Sequence, residues 1–148
     1  MRFLCDTMLG TLAKWLRFLG YDTAYPTDGE DTRLLQIAAV EDRVLLTRDR
    51  ELAARGAFRI ESDDLDEQLA AVIRAFHLGG ADALSRCSVC NGNLEAVPPE
   101  TVRDRIPEGV LSLQTEFWRC ASCAKVYWKG SHYRQMVERI AGLLLASD

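Results

Sequence analysis

The stretch RFLCDTMLGTLAKWLRFLGYDTAY, residues 2–25, decides the architecture. Residues 2–6 form a short apolar run that closes on Asp6, and Met8, Leu12, Leu16 and Leu19 then recur at helical spacing. Gly20 supplies the left-handed stop that ends such a helix, and residues 21–25 read as a second strand. A strand, a helix and a strand in so short a span imply a right-handed crossover between parallel strands.

Working outward, the unit repeats. Asp31 stands at a helix start before Leu34, Leu35 and Ala38, which share one face. Residues 44–47 form a third apolar strand, followed by a short helix through Glu51–Ala54 that Gly56 ends. Residues 58–61 are a fourth strand. The next helix opens at Asp63 or Asp64, with Glu67 completing a capping box after Asp64, and turns Leu65, Leu69, Val72, Ile73 and Phe76 inward. Strands alternating with helices predict an α/β fold, a parallel sheet flanked by helices. In a flavodoxin-like order, 2-1-3-4, the first and third strands are neighbours, and the crevice where the chain reverses is the usual ligand site. The first strand ends in Asp6, and Asp49 follows the third.

The α/β pattern stops over residues 81–86, which predicts an N-terminal domain over 1–82 and a second unit over 83–148 carrying a final amphipathic helix at about 133–146. Met136, Val137, Ile140, Leu143 and Leu144 form that helix's apolar face. The chain has 148 residues, 48% of them hydrophobic and 27% charged, the balance of an ordinary soluble globular protein. The opening residues meet Asp6 too early for a secretory signal and no run approaches a membrane span, so a cytoplasmic location and no membrane partner are expected. A net charge of -4 argues against holding nucleic acid through bulk positive charge. The distribution is uneven: acids dominate up to Arg86, and beyond Gln114 the balance turns basic, with aromatics interleaved.

Two CxxC pairs, Cys87/Cys90 and Cys120/Cys123, carry the strongest chemical signal. Tetrahedral Zn²⁺ needs four converging ligands, and a CxxC turn presents two thiolates to one ion, so the spacing points to a closed structural zinc site. Disulfides lack a secretory signal, a redox CxxC belongs at a helix start, and merely buried cysteines do not pair so regularly. Cys5, inside an apolar strand, reads as a small buried hydrophobe.

The acids form the second constellation. Asp6 and Asp49 should meet at the carboxyl edge of the sheet, and Asp31 could approach from the loop after the second strand. Three gathered carboxylates repel unless a cation neutralises them, and Mg²⁺ or Mn²⁺, which favour oxygen ligands and retain water, would suit phosphodiester hydrolysis. Capping is the rival reading. Asp31 and Asp49 could each serve as an N-cap, and Arg48 and Arg50 could simply be solvated. Asp6 is harder to explain that way, because half-burying a carboxylate at the end of a central strand is costly without a partner.

The segments FLCDTMLGTLAKWLRFLGYDT, EDTRLLQIA, LLTRDREL, RCSVCNGNL and FWRCASCAKVYWKGSHYRQM, in this order over nearly the whole chain, resemble the Mut7-C family, a PIN-like ribonuclease domain with a C-terminal zinc ribbon. The resemblance implies metal-dependent RNA cleavage, with Asp6, Asp31 and Asp49 as catalytic metal ligands for Mg²⁺ or Mn²⁺, Thr47 as a supporting hydroxyl, Glu51 as the candidate fourth acid, and the four cysteines as Zn²⁺ ligands. The implied partner is single-stranded or looped RNA. Its candidate contacts are Arg48, Arg50, Lys125, Lys129, His132 and Arg134, with Lys14 and Arg17 as weaker ones. Trp118, Tyr127 and Trp128 are expected to fill the ribbon core, or to offer a stacking platform where exposed. The alternative is an RNA- or ribosome-binding adaptor with an inactive acidic edge. A third reading is a protein-interaction module whose acidic surface meets a basic partner.

Overall fold

The computed structural model describes residues 1–79 and 82–146, so Ala81, where the expected boundary region begins, lies outside the described residues. The first sheet has the expected order β2-β1-β3-β4 and is parallel throughout. Its strands are β1 (Arg2–Cys5), β2 (Asp22–Ala24), β3 (Val44–Thr47) and β4 (Phe58–Arg59). Phe3, Cys5 and Leu46 face one core, and Leu4 and Leu45 face the other, so both faces are covered. That burial is why the strands read as apolar runs rather than alternating ones.

The helices that cover the sheet are α1 (Gly10–Phe18), α2 (Asp31–Glu41), α3 (Arg50–Ala54) and α4 (Leu65–Phe76). Leu12, Ala13 and Leu16 of α1 pack with Leu69 and Val72 of α4. Leu34 of α2 and Leu52 of α3 fill the opposite core. Two local expectations are corrected. Met8 is 56% exposed, because residues Thr7–Leu9 form a tighter 3-10 turn that carries Leu9 inward instead. The N-cap of α2 is Glu30, so Asp31 is the first helical residue and not the cap. The capping box is as read: Glu67 N donates to Asp64 Oδ2 at 3.0 Å.

The second sheet is antiparallel, with β5 (Leu94–Val97), β6 (Phe117–Cys120) and β7 (Val126–Tyr127) in that order. The chain between β5 and β6 contains two short helices, α5 (Pro99–Val102) and α6 (Glu108–Leu111). Val102, Ile106 and Phe117 form a small core there, and Trp128 packs against it. Of the other aromatics expected in that core, Trp118 lies outside it under the Lys129 ammonium, 5.7 Å from the ring centroid. Tyr127 directs its hydroxyl to Cys87 Sγ at 3.0 Å.

The last helix, α7 (Ser131–Ala146), returns to the first sheet. Ile140 is 3% exposed within the core that holds Phe3 and Leu69, and Leu143 and Leu144 pack against it. Arg139 Nε reaches Asp66 Oδ1 of α4 at 2.5 Å and its guanidinium lies over the Trp15 ring. Residues 83–146 are therefore divided in packing: their sheet builds its own small core, and their helix joins the N-terminal one.

A polar seam fixes the cysteine-bearing segment against the edge strand β2. Thr23 N donates to Asn91 Oδ1 at 3.0 Å, and Asn91 Nδ2 donates to Asp22 Oδ1 at 2.7 Å. Arg17 Nε donates to Thr23 O at 2.8 Å, and its Nη1 reaches the carbonyls of Ser88 and Val89 at 3.0 and 3.1 Å. Arg17, named above as a weak phosphate contact, is 7% exposed and spent on this seam. Arg43 Nη1 completes it, donating to Asp22 Oδ1 at 2.8 Å and to Phe3 O at 3.1 Å.

Two predictions follow from the packing. Ile140→Ala should destabilise the α/β core by roughly 3 kcal/mol in urea titrations, although it lies at the far end of the chain, while Val137→Ala, on a 39% exposed side chain, should cost well under about 1 kcal/mol. Partial burial pushes the Asp22 carboxyl up, but hydrogen bonds from Arg43 and Asn91 outweigh it and hold the pKa down, from 3.8 to about 2. A depressed folded-state pKa stabilises above the unfolded value and is lost as pH falls from 3.8 towards 2. The stability difference between wild type and Asp22→Asn should therefore shrink over that window; a constant difference would remove the seam's role.

Candidate functional site

The carboxyl edge of β1 and β3 gathers three of the residues singled out in the sequence. Asp6 N donates to Leu46 O at 3.0 Å, continuing the ladder one residue past β1 and setting Asp6 beside Thr47. Thr47 is fully buried, and its hydroxyl donates to Asp6 Oδ2 at 2.7 Å while accepting from Asp49 N at 3.0 Å. One hydroxyl thus joins the two strand ends. Asp6 is 5% exposed and also caps the following 3-10 turn, its Oδ1 accepting from Thr7 N at 2.7 Å. Asp49 is the N-cap of α3, with Oδ1 accepting from Glu51 N at 2.8 Å. Among the described residues neither carboxylate has a cationic side-chain partner.

The segment leading to Asp31, the first residue of α2, is pinned to the same edge. The Tyr25 hydroxyl donates to Thr7 O, and Gly29 lies so close to Thr7 that an added Cβ would stand 2.4 Å from its Cγ2. Asp31 is half-buried, and its carboxylate has no hydrogen-bond or ion-pair partner among the described residues. Among those residues, though, Asp6, Asp31 and Asp49 do not form a group whose ligand oxygens all lie within 4.8 Å of one another. Arg48, Arg50 and Glu51 are exposed around Asp49. The donor set suits a hard cation that keeps much of its water and takes one or two carboxylates directly.

The four cysteines do converge. Cys87, Cys90, Cys120 and Cys123 place their sulfurs within 4.8 Å of one another, with Cys87 to Cys123 at 3.7 Å and Cys90 to Cys120 at 3.4 Å. Sulfurs at the corners of a tetrahedron around zinc stand about 3.8 Å apart, given a Zn–S bond near 2.3 Å. The two turns are built alike. Asn91 N donates to Cys87 O at 2.9 Å and Ala124 N to Cys120 O at 3.0 Å, with both Asn91 and Ala124 at positive φ. Cys87 N then bonds Gly92 O, and Cys120 N bonds Lys125 O. Gly92 admits no side chain, since a Cβ would lie 2.9 Å from Cys120 Sγ. Ser122 N and Cys123 N point at that same sulfur, both at 3.4 Å, as donors stabilising a thiolate. Cys5 belongs to neither cluster: burial pushes its thiol up to about 12, leaving an inert core side chain.

The basic candidates separate. Lys125 and His132 line a cleft between α1 and β7, whereas Lys129 sits over Trp118 and Arg134 is exposed on α7. Arg17, which positions the first cysteine turn together with Asn91, was not assigned that role in the sequence. For Arg17 a signal was present: it falls four residues after Ala13, on the buried stripe of α1.

This geometry can be set beside known proteins. The chain is 38% identical over 101 residues to a human protein named "Exonuclease mut-7 homolog", covering 61% of this chain and 12% of that relative. The chain therefore spans about an eighth of the relative's length, and the exonuclease of its name is a property of that longer protein. The family model described as the Mut7-C RNAse domain matches residues 1–140, taking in the aspartate-bearing edge, the edge strand and all four cysteines. Among the described residues no helix is long and apolar enough to cross a membrane. The chain belongs to the Mut7-C RNAse domain family.

Proposed function

We propose that this protein is a metal-dependent ribonuclease with a PIN-like acidic site, and that its cysteine sheet is a zinc ribbon that aids RNA binding. The observation that carries the reading is the Thr47 hydroxyl shared by Asp6 and Asp49 at the sheet's reversal point, in a chain of a ribonuclease-domain family. Asp6 and Asp49, with Asp31 from the start of α2, would hold Mg²⁺ or Mn²⁺. Such an ion supplies a bound water of lowered pKa and neutralises charge on the phosphate. Thr47 holds Asp6 in one orientation. Capping occupies one oxygen of Asp49 and leaves its other for a ligand. Arg48 and Arg50, exposed beside it, would meet phosphate oxygens. The two groups, residues 1–82 and the ribbon, would act on single-stranded or looped RNA in the cytoplasm.

A second reading is favoured by the carboxylates themselves, which are not gathered within 4.8 Å as a triad. On it, the chain is an RNA- or ribosome-binding adaptor and the nuclease chemistry resides elsewhere in longer relatives. Cleavage decides between them. Purified protein should cut RNA only with added Mg²⁺ or Mn²⁺, Asp6→Asn and Asp49→Asn should each abolish cutting with the fold intact, and the near-isosteric Thr47→Val should slow it about ten- to hundredfold. Metal-independent binding without any cleavage by wild type would favour the adaptor.

The zinc assignment has a separate readout. Elemental analysis should find one zinc per chain, lost in Cys90→Ser. Because Asn91 caps Thr23 N, hydrogen exchange at the Thr23 amide should accelerate in that variant; unchanged exchange would uncouple the ribbon from the sheet edge.

A further inference from the structure

A cleft of about 550 Å³ lies between α1, β7 and the first turn of α7, within the size range of ligand sites. We propose that it is the channel for unstacked bases of single-stranded RNA, a proposal that rests on the RNA-directed reading above but not on catalysis.

Three observations favour this occupant. The walls are aromatic: Trp15 and Phe18 stand on α1, Tyr127 and Trp128 on and beside β7, and Tyr133 on α7. Phe18 and Tyr133 meet edge to face, with ring centroids 5.9 Å apart, and so join the α1 wall to the α7 wall. Every base has a π-face, so such walls accept any sequence, provided that the bases are free of a duplex.

The charge is the second. Lys14, Arg86, Lys125 and His132 line the cleft and, among the described residues, no Asp or Glu does, in a chain whose 22 acids outnumber its 18 lysines and arginines. A lining so unlike the rest of the chain selects an anion, and apolar walls with cationic margins match a phosphate-linked chain of bases. Arg86 is held in place there, its Nη1 donating to Asn91 O at 2.8 Å.

Position is the third. Thr11, five positions after Asp6 in the chain, lines the cleft near the start of α1, whose N-terminus stands at the acidic edge. A strand threaded along α1 between Trp15 and Tyr127 is therefore led towards Asp6 and Asp49. The surface that the sequence assigned to RNA narrows accordingly: Lys125 and His132 belong to this channel, Lys14 rejoins it, and Lys129 and Arg134 fall outside the lining.

The test is binding by the full chain carrying Asp6→Asn, without added divalent metal, to a fluorescein-labelled oligoadenylate and to a duplex of equal length. The single strand should bind more tightly than the duplex and quench tryptophan fluorescence, with the quenching retained in Trp118→Phe. The double variant Lys14→Glu/Lys125→Glu, both exposed side chains, should weaken binding about tenfold or more with zinc content and circular dichroism unchanged. Wild-type affinity in that variant, equal affinity for the duplex, or quenching that vanishes with Trp118 would each overturn the channel. So would a dimer in sedimentation whose formation competes with the oligonucleotide, which would assign the cleft to a second copy of the chain. The nuclease reading fails separately: wild type that binds through the cleft yet never cleaves keeps the channel and loses the chemistry, and cleavage untouched by the double variant does the reverse.

Discussion

The guanidinium of Arg17 is the contact on which the arrangement of the two sheets depends. It is buried, and it accepts no bond; it only donates, to one carbonyl of the edge strand β2 and to two carbonyls of the first cysteine turn. A three-residue edge strand has unpaired backbone groups on its outer side, which would otherwise meet water or another strand. Here side chains occupy them: Arg17 takes the carbonyl of Thr23 and Asn91 takes its N–H. The cysteine turn completes the sheet, and the sheet orients the cysteine turn. Removing the guanidinium would leave several part-buried carbonyls without donors, which is costlier than the bonds themselves are stabilising.

The acidic edge illustrates how one side chain serves two ends. Asp6 and Asp49 both accept backbone N–H groups at the start of a helical turn, where partial positive charge favours a carboxylate. Capping and metal binding are usually weighed as rivals, yet each cap occupies a single oxygen lone pair. At the carboxyl ends of these parallel strands the capping hydrogen bonds fix where each carboxylate stands and leave it further acceptor sites. Thr47 is the third element of that arrangement, since its one hydroxyl donates to the first aspartate and accepts from the backbone of the second.

Much of this was legible in the sequence where the signal was local or periodic. Strand order, the capping box at Asp64 and the convergence of the four cysteines all rest on such signals, and the structure has them. What escaped was set by long-range contact. Met8 and Leu9 exchanged places because a 3-10 turn changes the angular step between residues, which helical spacing alone does not reveal. Arg17 looked like a solvated charge because two of its three carbonyl partners, Ser88 and Val89, lie more than seventy positions away. Trp118 and Trp128 carry the same composition signal, and only the pairing register of β6 and β7 separates the one under Lys129 from the one in the small core. The spread of the three aspartate carboxylates is a matter of ångströms, beyond anything that residue spacing encodes.

The return of α7 to the first core has a topological consequence. The cysteine-bearing sheet is an excursion out of a single folded body, anchored where it leaves α4 and again where α7 begins. Such an excursion of about fifty residues carries a closure entropy of roughly 3.5 kcal/mol, which the body must bear whenever its ends are docked and the excursion is unfolded. A metal that orders the excursion relieves that burden, so loading of the cysteine site and seating of α7 on α4 should rise and fall together. A cut made at the apparent midpoint of the chain would thus divide a single cooperative unit, and a shuffled or transplanted version would have to carry both anchors with it.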